Sequence, residues 1–208
     1  MRFLSLLLVS VFFLTSCVTE PNVNTGINIP QLTVYNVSTT YYDDISLWNS
    51  MNIFYSHNNT DYNIDESGTN LESVRMGMDD NYIYVLWKFR DGMPTPSSGY
   101  NYTIDFITRG EDGVDKYTNL KVGSFNGFLI PHIPYGPLDP EKTKWITLWE
   151  GDDSDYKVGA DFLLARFSKA VLLDKIDLGT DNLGGIGIYR DAEPTGFYRS
   201  DLVIKIHE

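Results

Sequence analysis

Two tryptophans and three carboxylates lie close together between residues 145 and 153. The run WITLWEGDD contains Trp145, Trp149, Glu150, Asp152 and Asp153. In an extended strand, alternate residues share a side, so the pattern predicts both indoles on one face with Ile146 and Leu148 turned towards the core. Aromatic rings beside hydrogen-bonding carboxylates are suited to stacking on a sugar ring. The segment is therefore a candidate carbohydrate-binding site. The alternative is that both indoles pack into the core, as tryptophan commonly does.

Two acidic loops gather oxygen atoms of the kind that calcium binds. The first, GEDGVD, holds Glu111, Asp112 and Asp115, and the second, DDSD, spans residues 152–155. Calcium prefers carboxylate and carbonyl oxygens, but neither loop has the spacing of an EF-hand. We expect no cofactor unless one of these loops binds calcium, and solvated turns are the alternative reading of both loops.

The sequence contains no known arrangement of catalytic residues. The histidines, His57, His132 and His207, are scattered, and the chain has no HExxH, no GxSxG and no glycine-rich phosphate loop. A carboxylate pair assembled by folding, as in glycosidases, is the one open route to catalysis. The net charge of −12 argues against nucleic acid as a partner, because phosphates require clustered lysine and arginine. We therefore predict a binding protein rather than an enzyme.

The only cysteine lies where it can carry a lipid. An apolar run, FLSLLLVSVFFL, follows Arg2 and has the length of a signal-peptide core rather than of a membrane span. The next residues, LTSC, resemble the bacterial lipobox, in which cleavage precedes the cysteine and its thiol is acylated. The alternative is ordinary signal cleavage.

Lipidation at Cys17 divides the chain into three parts. We expect a signal peptide over residues 1–16, a lipidated and flexible tether over 17–31, and one domain over 32–208. The acyl chains, palmitate among them, would anchor the protein in the membrane of a bacterial cell envelope. Val18 rather than aspartate follows the cysteine, which indicates the outer membrane in a diderm.

Short apolar and aromatic runs alternate with turn residues along the rest of the chain. This pattern, at intervals of roughly ten residues, is typical of an all-β protein. The predicted strands are 33–38, 51–56, 71–78, 82–90, 100–108, 117–122, 127–130, 144–150, 157–167, 185–189 and 200–207. We therefore predict a single antiparallel β-sandwich, jelly-roll-like, with a helical turn within residues 168–178.

The most aromatic strand, YIYVLWKF, has apolar residues on both of its faces. Trp87 shares its face with Val85 and Phe89, which are typical core neighbours. We predict that this strand is central in the sandwich and that Trp87 is a core residue rather than part of a ligand platform.

Residues 70–106 resemble the family 9 carbohydrate-binding-module-like (DOMON-like) sandwich domains. The resemblance comprises a strand, an Asp-Asp turn, an aromatic strand and a strand ending in Ile-Asp, here residues 74–78, 79–80, 82–89 and 102–105. Residues 43–48, 170–179 and 191–196 are similar to other segments of that pattern. The resemblance implies a sandwich fold and the binding of a glycan.

Two other functions stay open on the sequence alone. One is a structural or adhesive surface lipoprotein, with a surface protein as partner and no small ligand. The other is an electron-transfer domain that binds haem through Met76 or Met78, because some relatives of this fold carry haem on methionine.

Overall fold

A computed structural model describes most of the chain after residue 30. The described residues are 31–51, 55–56, 71–93, 99–109, 115–125, 128–137, 145–176, 182–190 and 193–206. The predicted signal peptide, Cys17 and the tether up to residue 30 lie outside them, as do Glu111 and Asp112. None of the helices described is long and apolar enough to cross a membrane.

The described residues form strands with a few short helical turns. The strands are β1 Gln31–Asn36, β2 Tyr55–Ser56, β3 Leu71–Met78, β4 Tyr82–Phe89, β5 Tyr100–Arg109, β6 Asp115–Phe125, β7 Phe128–Pro137, β8 Ile146–Glu150, β9 Tyr156–Val158, β10 Phe162–Ser168, β11 Asn182–Arg190 and β12 Glu193–Ile206. The helices are α1 Thr40–Asp43, α2 Lys169–Leu173 and 3-10 turns at Ile45–Ser50 and Asp153–Asp155. The predicted helical turn is α2.

The strands form an all-β sandwich, which confirms the predicted fold class. Their hydrogen-bonded order is β8-β7-β6-β5-β11-β12-β1-β3-β4-β10-β9, and β2 pairs with β3. The sheet folds over so that β7 meets β10 and β9 across the core. The pairing is antiparallel except at β1, which runs parallel to both β12 and β3. The two halves of the sandwich are thus joined through a parallel strand.

The predicted strand over residues 157–167 is two strands. Residues 156–158 and 162–168 pair with each other as the antiparallel hairpin of β9 and β10. The turn contains Gly159, whose N–H donates to the Phe162 carbonyl at 2.9 Å. The glycine and Asp161 supply the turn chemistry that reverses the chain.

Strand β4 is buried on both faces. Trp87 is fully buried in the core between the two halves, which confirms the sequence prediction. On the other face, Tyr84 and Leu86 pack under residues from the segment 37–51, mainly Tyr42 and Trp48. The aromatic strand therefore holds the sandwich together.

Candidate ligand-binding face

The outer side of strands β5 to β8 carries a set of polar and aromatic side chains. Alternate residues of these strands point into the core, and cross-strand partners share a side. The pairs Thr103–Lys121, Lys121–His132 and His132–Glu150 therefore form one row across the four strands. We use the name polar face for the outward side chains of Thr103, Asp105, Tyr117, Asn119, Lys121, His132, Trp145, Thr147 and Glu150.

Burial on the polar face decreases from β5 to β8. Thr103 and Asp105 are buried on β5, and Lys121 and His132 are partly buried on the next two strands. Glu150, on β8, is exposed. The accessible part of the face is thus its β6–β8 side.

A β-bulge in β8 separates the two tryptophans of the predicted sugar site. Trp149 lies opposite Ile133 and Thr147 lies opposite Pro134, so Leu148 is an extra residue without a partner. Leu148 and Trp149 both pack against the core, and the Trp149 ring meets Phe167 edge-on at 6.1 Å. The prediction that Trp145 and Trp149 share a face is therefore wrong.

The prediction that Ile146 is buried in the core is also wrong, although it lies on the predicted side of β8, which is an edge strand. We expected this residue in the core, but its side chain is 52% exposed. It lies opposite Tyr135, which is itself only partly buried. Trp145 and Thr147 are outward as predicted, and the bulge at Leu148 turns Glu150 outward as well.

Trp145 lies with its ring face against the backbone of Gly136. A Cβ built on this glycine would lie 2.6 Å from the indole Cδ2, with Cγ and Cε2 next nearest, so it would meet the ring face rather than an edge. The Tyr117 ring is nearly parallel to the indole, at 14° and 6.4 Å between centroids. Trp145 is 37% exposed. A glycine at residue 136 therefore allows an aromatic surface to lie on the sheet.

A second glycine, Gly123, allows three polar side chains to pack directly onto the backbone of the sheet. A Cβ on Gly123 would lie 2.8 Å from Asn101 Oδ1, 3.2 Å from His132 Cε1 and 3.6 Å from Lys121 Cε. These three side chains, from β5, β7 and β6, thus converge on one point above the sheet. A side chain at residue 123 would displace them, so glycine is required for this packing.

The charges on this row are partly compensated. Burial lowers the pKa of Lys121, and the nearby carboxylate of Asp105 opposes that shift. Burial likewise lowers the pKa of His132 from the usual 6.5, and the charge on Lys121 adds to this, whereas the hydrogen bond to Ile130 and the charge on Glu150 oppose it. The row therefore places a lysine and an imidazole, both with a lowered pKa, side by side, with Glu150 at its β8 end.

The second predicted calcium loop is occupied by its own hydrogen bonds. Asp152 Oδ1 accepts from the Ser154 N–H at 2.7 Å, and Asp155 Oδ2 accepts from the Asp152 N–H at 2.9 Å, which forms a capping box. Asp155 Oδ1 also accepts from Arg166 Nε at 2.7 Å. Asp153 is exposed. These contacts make the loop an N-capped turn that closes onto β10.

The first calcium loop is described only at Asp115, and the candidate haem ligands lie on different sides of the sheet. Asp115 is exposed at the start of β6, and its two predicted partners lie outside the described residues. Within the described ranges, no group of three or more histidine, cysteine or acidic residues could hold a metal ion. Met76 and Met78 are buried in the core, whereas His132 lies on the outer side of β7, so these residues do not form a haem-ligand pair.

Several residues of the polar face were not among the sequence candidates. Thr103, Asp105, Asn119, Lys121 and His132 are outward residues of strands that were predicted only as structure. The available signal was the alternation in NYTIDF and YTNLKVG, where polar residues or glycine occupy every second position.

Comparison with known proteins finds no relative: no family model, no curated protein and no solved structure matches the chain.

Proposed function

We propose that the protein is a lipid-anchored, non-enzymatic carbohydrate-binding domain of the family 9 module type, whose ligand lies on the polar face. The observation that carries this proposal is the placement of Trp145. Its indole lies against Gly136, next to the parallel ring of Tyr117, and is partly open to solvent.

The polar face has the mixture of groups that a sugar requires. A pyranose ring has apolar C–H surfaces and a rim of hydroxyl groups, each of which both donates and accepts a hydrogen bond. Trp145 and Tyr117 supply an apolar surface of large area. Asn101, Lys121, His132 and Glu150 supply donors and acceptors within the same region of the sheet. A few convergent polar groups beside an aromatic surface are typical of small-ligand sites.

The spacing of the carboxylates on this face supports binding without hydrolysis. Asp105 lies on β5 and Glu150 on β8, three strand spacings apart. With about 4.8 Å between neighbouring strands, the two are separated by about 14 Å. Glycosidases hold their two carboxyl groups about 5–10 Å apart. This pair is therefore too far apart for that chemistry.

The proposed anchor rests on the lipobox at residues 14–17 and is tested separately from the binding site. The Cys17→Ala variant should lose labelled palmitate and leave the membrane fraction. Wild-type protein that takes up no labelled palmitate would contradict the anchor and leave the binding proposal intact.

The binding proposal is tested on a glycan array with the full-length protein in detergent micelles. We expect the wild type to bind a defined group of glycans and the Trp145→Ala variant to lose them. Phe128→Ala is the matched control, because Phe128 is an exposed aromatic residue at the opposite end of β7, eight residues from Gly136 and the Trp145 ring. Absence of glycan binding by the wild type, or equal losses in both variants, would refute the proposal.

A further inference from the structure

We infer that the surface between Phe128 and the loop 151–155 docks a segment of a partner protein that carries apolar side chains beside lysine or arginine. The inference goes beyond the proposed function and does not rest on it, because Phe128 lies at the opposite end of β7 from Gly136 and the Trp145 ring. We use the name acidic groove for the cleft lined by Phe128, Leu129, Ile130, Gly151, Asp152, Asp153 and Ser154.

One wall of the acidic groove is apolar. The groove is an open cleft of about 740 Å³, and the first residues of β7, Phe128 to Ile130, form this wall. Phe128 is 62% exposed, the largest fraction among the large hydrophobic residues that the structure describes. Clefts of about 300–1,000 Å³ are usual for sites that bind other molecules. The groove therefore has room for side chains of a partner, and Phe128 offers apolar surface for them to cover.

The opposite wall is the loop after β8, and hydrogen bonds hold it in place. The Gly151 N–H donates to the Pro131 carbonyl at 2.8 Å, and the Tyr42 hydroxyl donates to the Ser154 carbonyl at 2.6 Å. The capping box of the loop fixes the residues between these two bonds. The groove is therefore formed before a partner arrives, which reduces the entropy lost on binding.

The charged residues that line the acidic groove are Asp152 and Asp153. Hydrogen bonds from the side chain and the N–H of Ser154 lower the pKa of Asp152, so this carboxylate is ionised at neutral pH. None of the ion pairs formed within the described residues involves either aspartate. A lysine or arginine of a partner thus meets two carboxylates beside the apolar wall, which is complementary in charge.

The negative charge continues on the other side of the loop, in a second cleft of about 510 Å³. The charged residues that line this second cleft are all acidic: Asp80, Glu150, Asp152 and Asp155. Arg166 forms an ion pair with Asp155 at 2.7 Å and leaves the other three carboxylates to attract a cation. A ligand that reaches both clefts must cross the loop between them. An extended segment of a protein chain has that reach, whereas a small cation does not.

The same charges argue against two other occupants. Two copies of this chain that met through their acidic grooves would bring like charges together, which is unfavourable. A bilayer containing anionic lipids would be repelled by the carboxylates on both sides of the loop. A basic and apolar segment of another protein satisfies both walls of the groove.

The test measures binding of short fluorescent peptides to the full-length protein in phosphatidylcholine nanodiscs. One peptide alternates leucine with lysine, a second alternates leucine with glutamate, and a third alternates serine with lysine. Fluorescence anisotropy gives the affinities, and empty nanodiscs are the blank. We expect the leucine–lysine peptide to bind at least about tenfold more tightly than either of the others, because each of those lacks one of the two complementary features.

Variants of both walls locate the binding. Phe128→Ala should weaken binding of the leucine–lysine peptide by about tenfold or more, because aromatic anchors dominate such contacts. Asp152→Asn combined with Asp153→Asn should remove the preference for lysine over glutamate, and asparagine keeps the N-cap of the loop. The matched control combines Asp43→Asn with Asp174→Asn. It removes two charges from exposed carboxylates elsewhere and should keep the affinity of the wild type.

The outcomes that overturn the inference are specific. They are equal binding of the three peptides, no binding of the leucine–lysine peptide, full affinity in Phe128→Ala, or equal losses in the double variant and its control. Nanodiscs that pair through Phe128 would assign the groove to a second copy, and quenching of Phe128→Trp by brominated lipid would assign it to the bilayer. Trp145→Ala should leave peptide binding unchanged. Failure of the peptide test therefore leaves the glycan proposal intact, and failure of the glycan array leaves this inference intact.

Discussion

The two outer faces of the sandwich contain similar residue types but use them differently. The outer side of β4 and β10, which we call the covered face, carries Tyr82, Tyr84, Leu86, Leu164 and Arg166. Residues 37–51 cover it, chiefly through Tyr42 and Trp48. The polar face also combines aromatic residues with charged groups, but its exposure increases across the sheet until Trp145 and Glu150 reach solvent.

Polar groups of the covered face and of its covering segment form hydrogen bonds and ion pairs with other residues of the chain. Arg166 donates to Asp155 at 2.7 Å and lies over the rings of Tyr42 and Tyr82, 4.7 Å from each centroid. Trp48 Nε1 donates to the Tyr41 carbonyl at 2.7 Å. The Arg166 contact with Tyr42 holds the covering segment on the sheet, and the Trp48 bond stabilises the segment itself.

The polar face has side chains packed over two glycines where the covered face has a covering segment. The Trp145 ring lies on Gly136, and Asn101, His132 and Lys121 lie over Gly123. Asn119 Oδ1 is buried without a hydrogen-bond partner. The difference teaches that aromatic and charged residues on a strand do not by themselves distinguish an open face from a covered one, whereas a partly exposed indole supported by a glycine does so here.

The largest effect should come from the covered face. Trp48 is fully buried, so Trp48→Ala should lower the free energy of unfolding by about 3–5 kcal/mol. Trp145→Ala is the matched control and should cost less than about 1 kcal/mol, because its indole is partly exposed. Chemical denaturation measures both. Similar losses for the two variants would remove the distinction between the faces.

Loss of the Arg166 contacts should give the second-largest decrease in the free energy of unfolding. Arg166→Met breaks a partly buried ion pair and two cation–π contacts, so we expect a loss of about 1–3 kcal/mol in the free energy of unfolding. Lys88→Met breaks a more exposed ion pair, 3.6 Å from Asp161, and should cost under about 1 kcal/mol. A larger loss from the lysine would contradict the role given to Arg166.

A pH dependence should arise at Asp79, at the turn before β4. Burial disfavours its charged form, but hydrogen bonds from Tyr84 and the N–H groups of Tyr82 and Asn81 prevail and lower its pKa from 3.8. Because the pKa of Asp79 is lower in the folded than in the unfolded protein, its carboxylate stabilises the fold at pH values above the unfolded-state pKa. That stabilisation is lost as the pH falls through the folded-state pKa.

The corresponding experiment is denaturation of the Asp79→Asn variant between pH 2 and pH 7. It should be less stable by about 1–2 kcal/mol at pH 7 and should show a shallower loss below pH 4. Asp80→Asn, at the exposed neighbouring residue, should keep the wild-type profile. An Asp79→Asn profile parallel to that of the wild type would show that this carboxylate does not contribute.

The smallest stability change should accompany a large change in binding. Gly136→Ala places a methyl group 2.6 Å from the Trp145 indole, which must move off the sheet. Since the indole is at the surface, we expect a stability change of less than about 1 kcal/mol and a loss of glycan binding comparable to that of Trp145→Ala. Unchanged binding would mean that the position of the ring on Gly136 is irrelevant.

The fold was predictable because the strand pattern is regular. The range predicted for β3 matches the structure, that for β4 is one residue too long, and Trp87 is in the core as expected. Local alternation determines these elements because each strand has a face that must be buried. The parallel pairing of β1 was not predictable in this way, since it depends on which strands meet after the chain folds.

The site was predictable only in part, for two physical reasons. The β8 bulge occurs opposite Pro134 of β7. Proline has no N–H to donate to the neighbouring strand, so the cause of the bulge lies in β7 and nothing within WITLWE indicates it. The polar row depends on cross-strand register, which brings Lys121 of β6 beside His132 of β7. The sequence pattern predicted Trp145 and Glu150 as site residues, but it did not predict that Lys121 and His132 lie on the same face.

Acrylamide quenching of tryptophan fluorescence, with and without a glycan identified on the array, tests the central claim most directly. Trp48 and Trp87 are fully buried and Trp149 packs on the core, so Trp145 should dominate the quenchable emission and Trp145→Phe should remove most of it. A glycan bound to the polar face should shield that emission in the wild type. A glycan that binds and leaves the quenching unchanged would place the ligand elsewhere and contradict the account.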